Sequence, residues 1–195
     1  MDKKVLVLAS GNKSKIKEIS DMLPQFKVVG YKTLGEDFEI EETGETFFDN
    51  ALIKAKTVSL KYNLPCLADD SGLKVDALSG APGVYSARYA GTGDDEDNND
   101  LLLKNMRGVK DRRAQFICCA VFYMPNGETF SETCETAGEI LEERKGTSGF
   151  GYDPVFYSYD LKKSFGLATE EEKNSVSHRG RAIRKIATKI SEYLK

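Results

Sequence analysis

The sequence predicts an α/β protein with a mixed sheet and flanking helices, on three observations. Lys4 to Ala9 (K-V-L-V-L-A) is a continuous apolar run of the fully buried strand kind, and it breaks into a polar loop that opens a helical pattern. Ala114 to Met124 and Glu128 to Glu135 read as two long strands joined by Pro125-Asn126-Gly127. Asn-Gly between strand-like runs is a strong hairpin signal, so antiparallel pairing must join the βα part. Thr46 to Asn63 is the clearest helix of the first half, with Thr46 and Asp49 as a capping box and Phe47, Phe48, Ala51, Ala55 and Val58 as its core stripe.

The remaining elements follow in order. The first helix carries Ile16, Ile19 and Leu23 on one face and ends at Pro24. Phe26 to Gly30 reads as a second strand, followed by an acidic loop, Gly35 to Gly44, with Glu36, Asp37, Glu39, Glu41 and Glu42. Pro65 to Gly72 (P-C-L-A-D-D-S-G) is an apolar run closed by two acids, which predicts that Asp69 and Asp70 sit at a strand end. Leu73 to Leu78 reads as a further strand, and Gly80-Ala81-Pro82-Gly83 as a turn. The acidic run Asp94 to Asp100 suits the first turn of a helix carrying Leu101 to Leu103 and Met106. After a glycine-rich break at Gly146 to Pro154, Val155 to Tyr157 is a short strand, and a last helix presents Ile183, Ile186, Ala187, Ile190 and Leu194.

Composition narrows the class. A chain of 195 residues suits one well-buried domain, with two lobes as a variant of it. No apolar run approaches the ~18 residues of a membrane span, and the basic stretch Met1 to Lys4 leads into a strand too short for a signal sequence, so a cytoplasmic protein without membrane contact is expected. The net charge of -3 argues against a nucleic-acid binder. Cys66, Cys118, Cys119 and Cys134 lack metal-binding spacing and read as buried thiols.

Several stretches carry candidate chemistry. Ser10-Gly11-Asn12-Lys13-Ser14-Lys15 places backbone N–H groups, a helix N-terminus and two lysines together, a natural anion site that matches neither the P-loop nor the dinucleotide fingerprint. An ordinary strand-to-helix turn has the same composition. Alternation sends Asp69 and Asp70 to opposite faces, so one acid suits chemistry and the other support, while Asp-Ser-Gly is equally good turn chemistry. An acid from the 35–44 loop brought to the pair would complete an oxygen set of the kind Mg2+ takes. Asn50 and Lys54 lie one above the other on their helix. Phe150 and Tyr152 between glycines suit a stacking platform or core packing, and His178, the only histidine, suits a surface or capping role.

Six ordered motifs, S-G-N-K-S-K, E-E-T-G-E-T-F-F-D-N-A-L-I-K-A, L-A-D-D-S-G-L, G-A-P-G-V-Y-S-A-R-Y-A-G, F-G-Y-D-P-V-F and S-H-R-G, strongly resemble the inosine triphosphate pyrophosphatase family, also called HAM1 or non-canonical purine NTP pyrophosphatases. The resemblance runs from Ser10 into the final helix. It implies a mixed α/β fold with an elongated sheet and two lobes around a central cleft, a homodimer, and Mg2+-dependent hydrolysis of ITP, dITP and XTP to the monophosphate and pyrophosphate. It also assigns residues. The phosphate loop falls on Ser10, Gly11, Asn12, Lys13, Ser14 and Lys15, with Lys15 the key lysine, and Lys54 sits where a second phosphate lysine is expected. The metal acid falls on Glu41, the metal-bound general base on Asp70, and Ser71 stands beside the substrate. Base recognition falls on Phe150, Gly151, Tyr152, Asp153, Lys173, His178 and Arg179. A phosphatase working through an aspartyl phosphate would need D-x-D-x-T, which Asp69-Asp70-Ser71 lacks, and a non-catalytic nucleotide binder would need no paired acids.

Overall fold

The computed structural model describes residues 3–35 and 38–193. Met1 and Asp2, Glu36 and Asp37 of the acidic loop, and Leu194 of the expected final stripe lie outside the described residues. In chain order the elements are β1 (Lys4–Leu8), α1 (Lys13–Met22), β2 (Phe26–Gly30), α2 (Phe47–Tyr62), β3 (Cys66–Val75), α3 (Asp95–Asn105), β4 (Arg113–Tyr123), β5 (Thr129–Ile140), β6 (Phe156–Ser158), β7 (Lys163–Ser164), α4 (Glu170–Val176) and α5 (His178–Tyr193). The sheet order is β2-β1-β3-β4-β5-β6-β7. It is mixed, as expected: β1 runs parallel to β2 and β3, whereas β6 is antiparallel to β5 and β7. The Asn-Gly turn closes with Met124 N–H donating to the Glu128 carbonyl and Gly127 N–H to that of Met124, both at 2.9 Å. Among the described residues no helix is long and apolar enough to cross a membrane.

The chain forms two compact units. One comprises Met1–Asp70, Cys118–Cys134 and Arg179–Lys195; the other comprises Ser71–Ile117 and Glu135–His178. The first is centred on Leu6, Leu8, Ile19, Leu67, Phe122 and the α5 face of Ala182, Ile183, Ile186 and Ile190, all fully buried. The alternation of strands and the 3.6-residue stripe of α5 aim these side chains at one another. Asn12 caps α1 by accepting the Lys15 N–H, and Thr46 caps α2 by accepting that of Asp49. The second unit is built on Leu73, Val75, Leu102, Met106, Ile140, Phe156 and Phe165, with Asp94 capping α3 and a Thr169–Glu172 capping box opening α4.

The strand break expected at the acid pair is corrected, and the cysteines are buried thiols as expected. Asp69 and Asp70 do not end a strand: β3 runs unbroken through them to Val75, so the predicted break and second strand at Leu73–Leu78 become one strand followed by a 3-10 turn at Asp76–Leu78. Carboxylates disfavour strands when unpaired, and here each meets a cation. The four cysteines are free and buried, and burial pushes the thiols of Cys66 and Cys119 upward, away from reactivity.

Candidate active site

The polar groups of the first unit collect beyond the carboxyl end of β1, the place where parallel α/β sheets bind ligands. The strand stops at Leu8, and its neighbour β3 continues past it: Leu67 accepts the Ala9 N–H at 2.8 Å, and Asp69 and Asp70 follow. From β1 the chain turns through Ser10, whose Oγ accepts the Asn12 N–H at 3.2 Å, into the first turn of α1, where Lys13 and Ser14 are exposed. A pocket of about 270 Å³ opens here, lined by Ser10, Gly11, Asn12, Lys15, Glu42 and Lys54 among others. Helix-end amides, two ammonium groups and a carboxylate thus share one concavity, a composition suited to a polyanion with a cation.

Alternation along β3 divides the acid pair as expected. Asp69 turns toward Lys15, with Oδ1 3.2 Å from its Nζ, and toward Arg179, whose Nε donates to Oδ2 at 3.0 Å. The guanidinium continues to Glu18, with Nη1 2.7 Å from Oε2. Burial opposes ionisation of Asp69, but Lys15, Arg179 and Lys54 outweigh it and hold the carboxyl well below the usual carboxylate range. Asp70 turns toward α2: Lys54 Nζ donates to its Oδ1 at 3.1 Å and Asn50 Nδ2 to its Oδ2 at 3.3 Å. Burial pushes the Asp70 carboxyl above its ordinary value; the Lys54 ammonium pulls it back in part and the Glu42 charge adds to the rise. Lys54 itself keeps its proton more tightly than a free lysine, because Asp70, Glu42 and Asp69 outweigh the effect of its burial.

The loop acid that meets this cluster is Glu42, not Glu41. Glu42 Oε1 lies 3.2 Å from Lys54 Nζ, while Glu41 is exposed. Neighbours in an extended segment face opposite ways, so only one can reach the strand, and E-E alone does not say which. Lys54 Nζ lies 3.2 Å from Glu42 and 3.1 Å from Asp70, so the lysine bridges the two carboxylates. Among the described residues no third His, Cys, Asp or Glu joins them. Carboxylates beside a phosphate-binding loop are the kind of ligand Mg2+ takes, one or two of them with water and substrate phosphates filling its other positions.

The expected base-recognition residues lie in the second unit, except Arg179. Phe150 is half-buried and its N–H donates to Asp153 Oδ2 at 2.9 Å. Lys173 Nζ donates to the same oxygen at 2.6 Å and stands 4.7 Å above the Phe150 ring centroid. Asp153 thereby fixes both the ring and the cation. Gly149 sits at φ +80°, and a Cβ there would come within 2.0 Å of Asp153 Oδ2. Gly149→Ala is therefore expected to lower stability by more than about 1 kcal/mol, read as a fall in the urea midpoint. Gly151 follows at φ +61°, its N–H bonded to Asp95. His178 is buried and stacked on Phe116 at 4.7 Å between centroids, and Ser71, next to Asp70 on β3, is half-buried.

Two of these assignments change. Tyr152 is core, not platform: it is buried, its hydroxyl donates to the Ser86 carbonyl at 2.8 Å, and Phe150 alone of the two rings is left for stacking. Arg179 is only 3% exposed, and its guanidinium is bonded to Asp69 and Glu18 of the first unit. Sequence reasoning missed Glu18, two turns into α1, because a carboxylate on a lysine-rich helix reads as a surface charge. It named Asn50 only as a neighbour of Lys54.

Comparison with known proteins places this arrangement. The profile described as the Ham1 family matches residues 6–189. A protein of Staphylococcus epidermidis named dITP/XTP pyrophosphatase is 46% identical over 190 residues, covering 97% of this chain and 95% of that protein. One of the same name from Treponema denticola is 46% identical, covering 93% and 96%. Among solved structures, the Ham1 protein of Staphylococcus aureus superposes with a TM-score of 0.88 at 41% identity over 97% of this chain and all of that one. A HAM1 protein from Coxiella burnetii gives 0.86 at 38% identity, covering 97% and 99%.

Proposed function

The chain belongs to the Ham1 family, and on that premise we propose that it hydrolyses ITP, dITP and XTP to the monophosphate and pyrophosphate by attack of water at the α-phosphorus, clearing non-canonical purines from the nucleotide pool. The observation that carries this reading is the single pocket lined by the 10–12 loop, Lys15, Lys54 and Glu42, with Asp70 bonded to Lys54. Lys15 and Lys54 hold the leaving pyrophosphate together with the N-terminal turn of α1. Asp70 takes the proton of the attacking water. Mg2+ held by Asp70 and an acid of the Glu41-Glu42 pair would neutralise charge on the phosphates.

At the base end, Lys173 offers only donors and His178 offers at least one. Hypoxanthine and xanthine present an acceptor oxygen at C6, whereas adenine presents an amino donor, so adenine leaves a buried donor unmatched. Discrimination built this way reaches ~10^4. The test is a panel of nucleoside triphosphates with Mg2+, scoring pyrophosphate. Release from ITP and XTP but not from ATP is expected, together with loss of turnover in chelator. Orthophosphate with IDP as products, or no turnover of ITP and XTP, would overturn the assignment. We propose further that the enzyme is a cytoplasmic homodimer, which sedimentation of the purified chain would check.

A further inference from the structure

Phe150 stands between Gly149 at φ +80° and Gly151 at φ +61°, both in the left-handed region. Nothing lies within 4 Å of where a Cβ on Gly151 would stand, so the backbone conformation and not a neighbour calls for glycine there. A glycine is also free to leave that region, and rotation at Gly151 would swing the Phe150 ring. Helix α3 removes this freedom. The Gly151 N–H donates to Asp95 Oδ2 at 2.8 Å, and the Gly151 carbonyl accepts from Asn99 Nδ2 at 2.9 Å. Asp95 opens α3 and Asn99 follows four residues later, so the two side chains share one face of the helix.

Asn99 is wholly buried, and its Nδ2 also donates to the Asp95 carbonyl at 2.8 Å, which commits both of its N–H groups and fixes the amide's orientation. Its Oδ1 has no hydrogen-bond partner among the described residues. A buried acceptor left unpaired costs stability, which an apolar side chain in the same space would avoid. The bond to the Gly151 carbonyl is what an apolar side chain could not make. On the other side of the ring, Asp153 accepts the Phe150 N–H, so the backbone is fastened both before and after the ring.

We propose that Asp95 and Asn99 are positioning residues for base recognition, pinning Gly151 so that the Phe150 ring meets the purine in one orientation. The acidic opening of α3 thereby acquires a part in substrate binding. The proposal rests on the reading of Phe150 as the platform on which the base stacks.

The test is steady-state hydrolysis of ITP at saturating Mg2+ by wild type, Asn99→Ala, Asp95→Ala, Phe150→Ala and the Asn99→Ala/Phe150→Ala double variant, with inorganic tripolyphosphate as a competitive inhibitor that carries no base. Loss of base–aromatic stacking in Phe150→Ala is expected to raise KM about 10-fold or more. Asn99→Ala and Asp95→Ala are each expected to raise KM about 3- to 10-fold, the range of one hydrogen bond, with kcat and the tripolyphosphate inhibition constant little changed. In the Phe150→Ala background the Asn99 substitution should have almost no effect, because the ring it aligned is gone. An unchanged KM with only a lowered melting temperature, an equal rise in both backgrounds, or a parallel weakening of tripolyphosphate would reduce the two residues to structural ones and overturn the proposal. Asp95 is exposed, so Asp95→Ala carries the comparison if Asn99→Ala does not fold. If the wild type does not hydrolyse ITP, or Phe150→Ala leaves KM unchanged, the reading of the base end fails and the proposal with it. If Phe150→Ala raises KM and the Asn99 and Asp95 variants do not, the role of α3 alone is overturned.

Discussion

Asp70→Asn is expected to bind ITP about as tightly as the wild-type chain and to turn it over at least ~100-fold more slowly, the low end of what general-base catalysis contributes. The substitution preserves shape and the acceptor that Lys54 donates to, and at saturating Mg2+ its main effect is to remove the capacity to take a proton. The loss should therefore appear in kcat, with KM little changed. The same residue governs the acid limb of the rate profile. A general base must be deprotonated to act, so wild-type kcat/KM is expected to fall with decreasing pH, and the residual rate of Asp70→Asn to lack that limb. Single-turnover measurement of pyrophosphate release against pH checks both. Near-normal turnover in Asp70→Asn would remove Asp70 from the mechanism.

How much of this was legible in the sequence differs from residue to residue, for physical reasons. Periodicity and caps report local structure, so α2 with its Thr46 cap, the hairpin at Asn126-Gly127 and the α5 stripe were readable. The continuity of β3 was not, because local propensity penalises an Asp pair and cannot see the cations at positions 15, 54 and 179 that neutralise it. The same blindness explains Arg179, which follows the only histidine in a motif-like run yet spends its donors on Glu18 and Asp69, 161 and 110 residues away. Alternation announced that Asp69 and Asp70 would point different ways. At Asp69-Asp70 the family motif decided which, but at Glu41-Glu42 the phase of an irregular loop decided, and irregular backbone has no period to read. Tyr152 was misplaced for a related reason: glycines on both sides signal a loop, and a loop residue is presumed exposed until the Ser86 carbonyl behind it is known.

The adjacent acids of β3 should respond oppositely to the same substitution. Asp69→Asn breaks a buried pair, taking a carboxylate from Arg179, 3% exposed, and from Lys15. Removing one member of a buried pair costs up to about 3–5 kcal/mol, and the Glu18 contact offsets part of that here. A urea midpoint well below that of wild type is expected. Asp70→Asn removes a charge that burial already disfavours, so its midpoint in metal-free buffer should equal or exceed that of wild type. The pH dependence follows with opposite signs. The depressed carboxyl of Asp69 contributes stability that is present above its unfolded value near 3.9 and is lost as pH falls through its folded one, so Asp69→Asn should flatten the acid side of the stability curve. The raised carboxyl of Asp70 contributes stability that is present below about 3.9 and is lost as pH rises through its folded value, so Asp70→Asn should gain on wild type toward neutral pH. An acid kept where its charge costs stability is what a catalytic base requires, and an acid that stabilises is what its support requires. Equal destabilisation by the two substitutions, or the reverse order, would show that β3 does not divide its pair in this way.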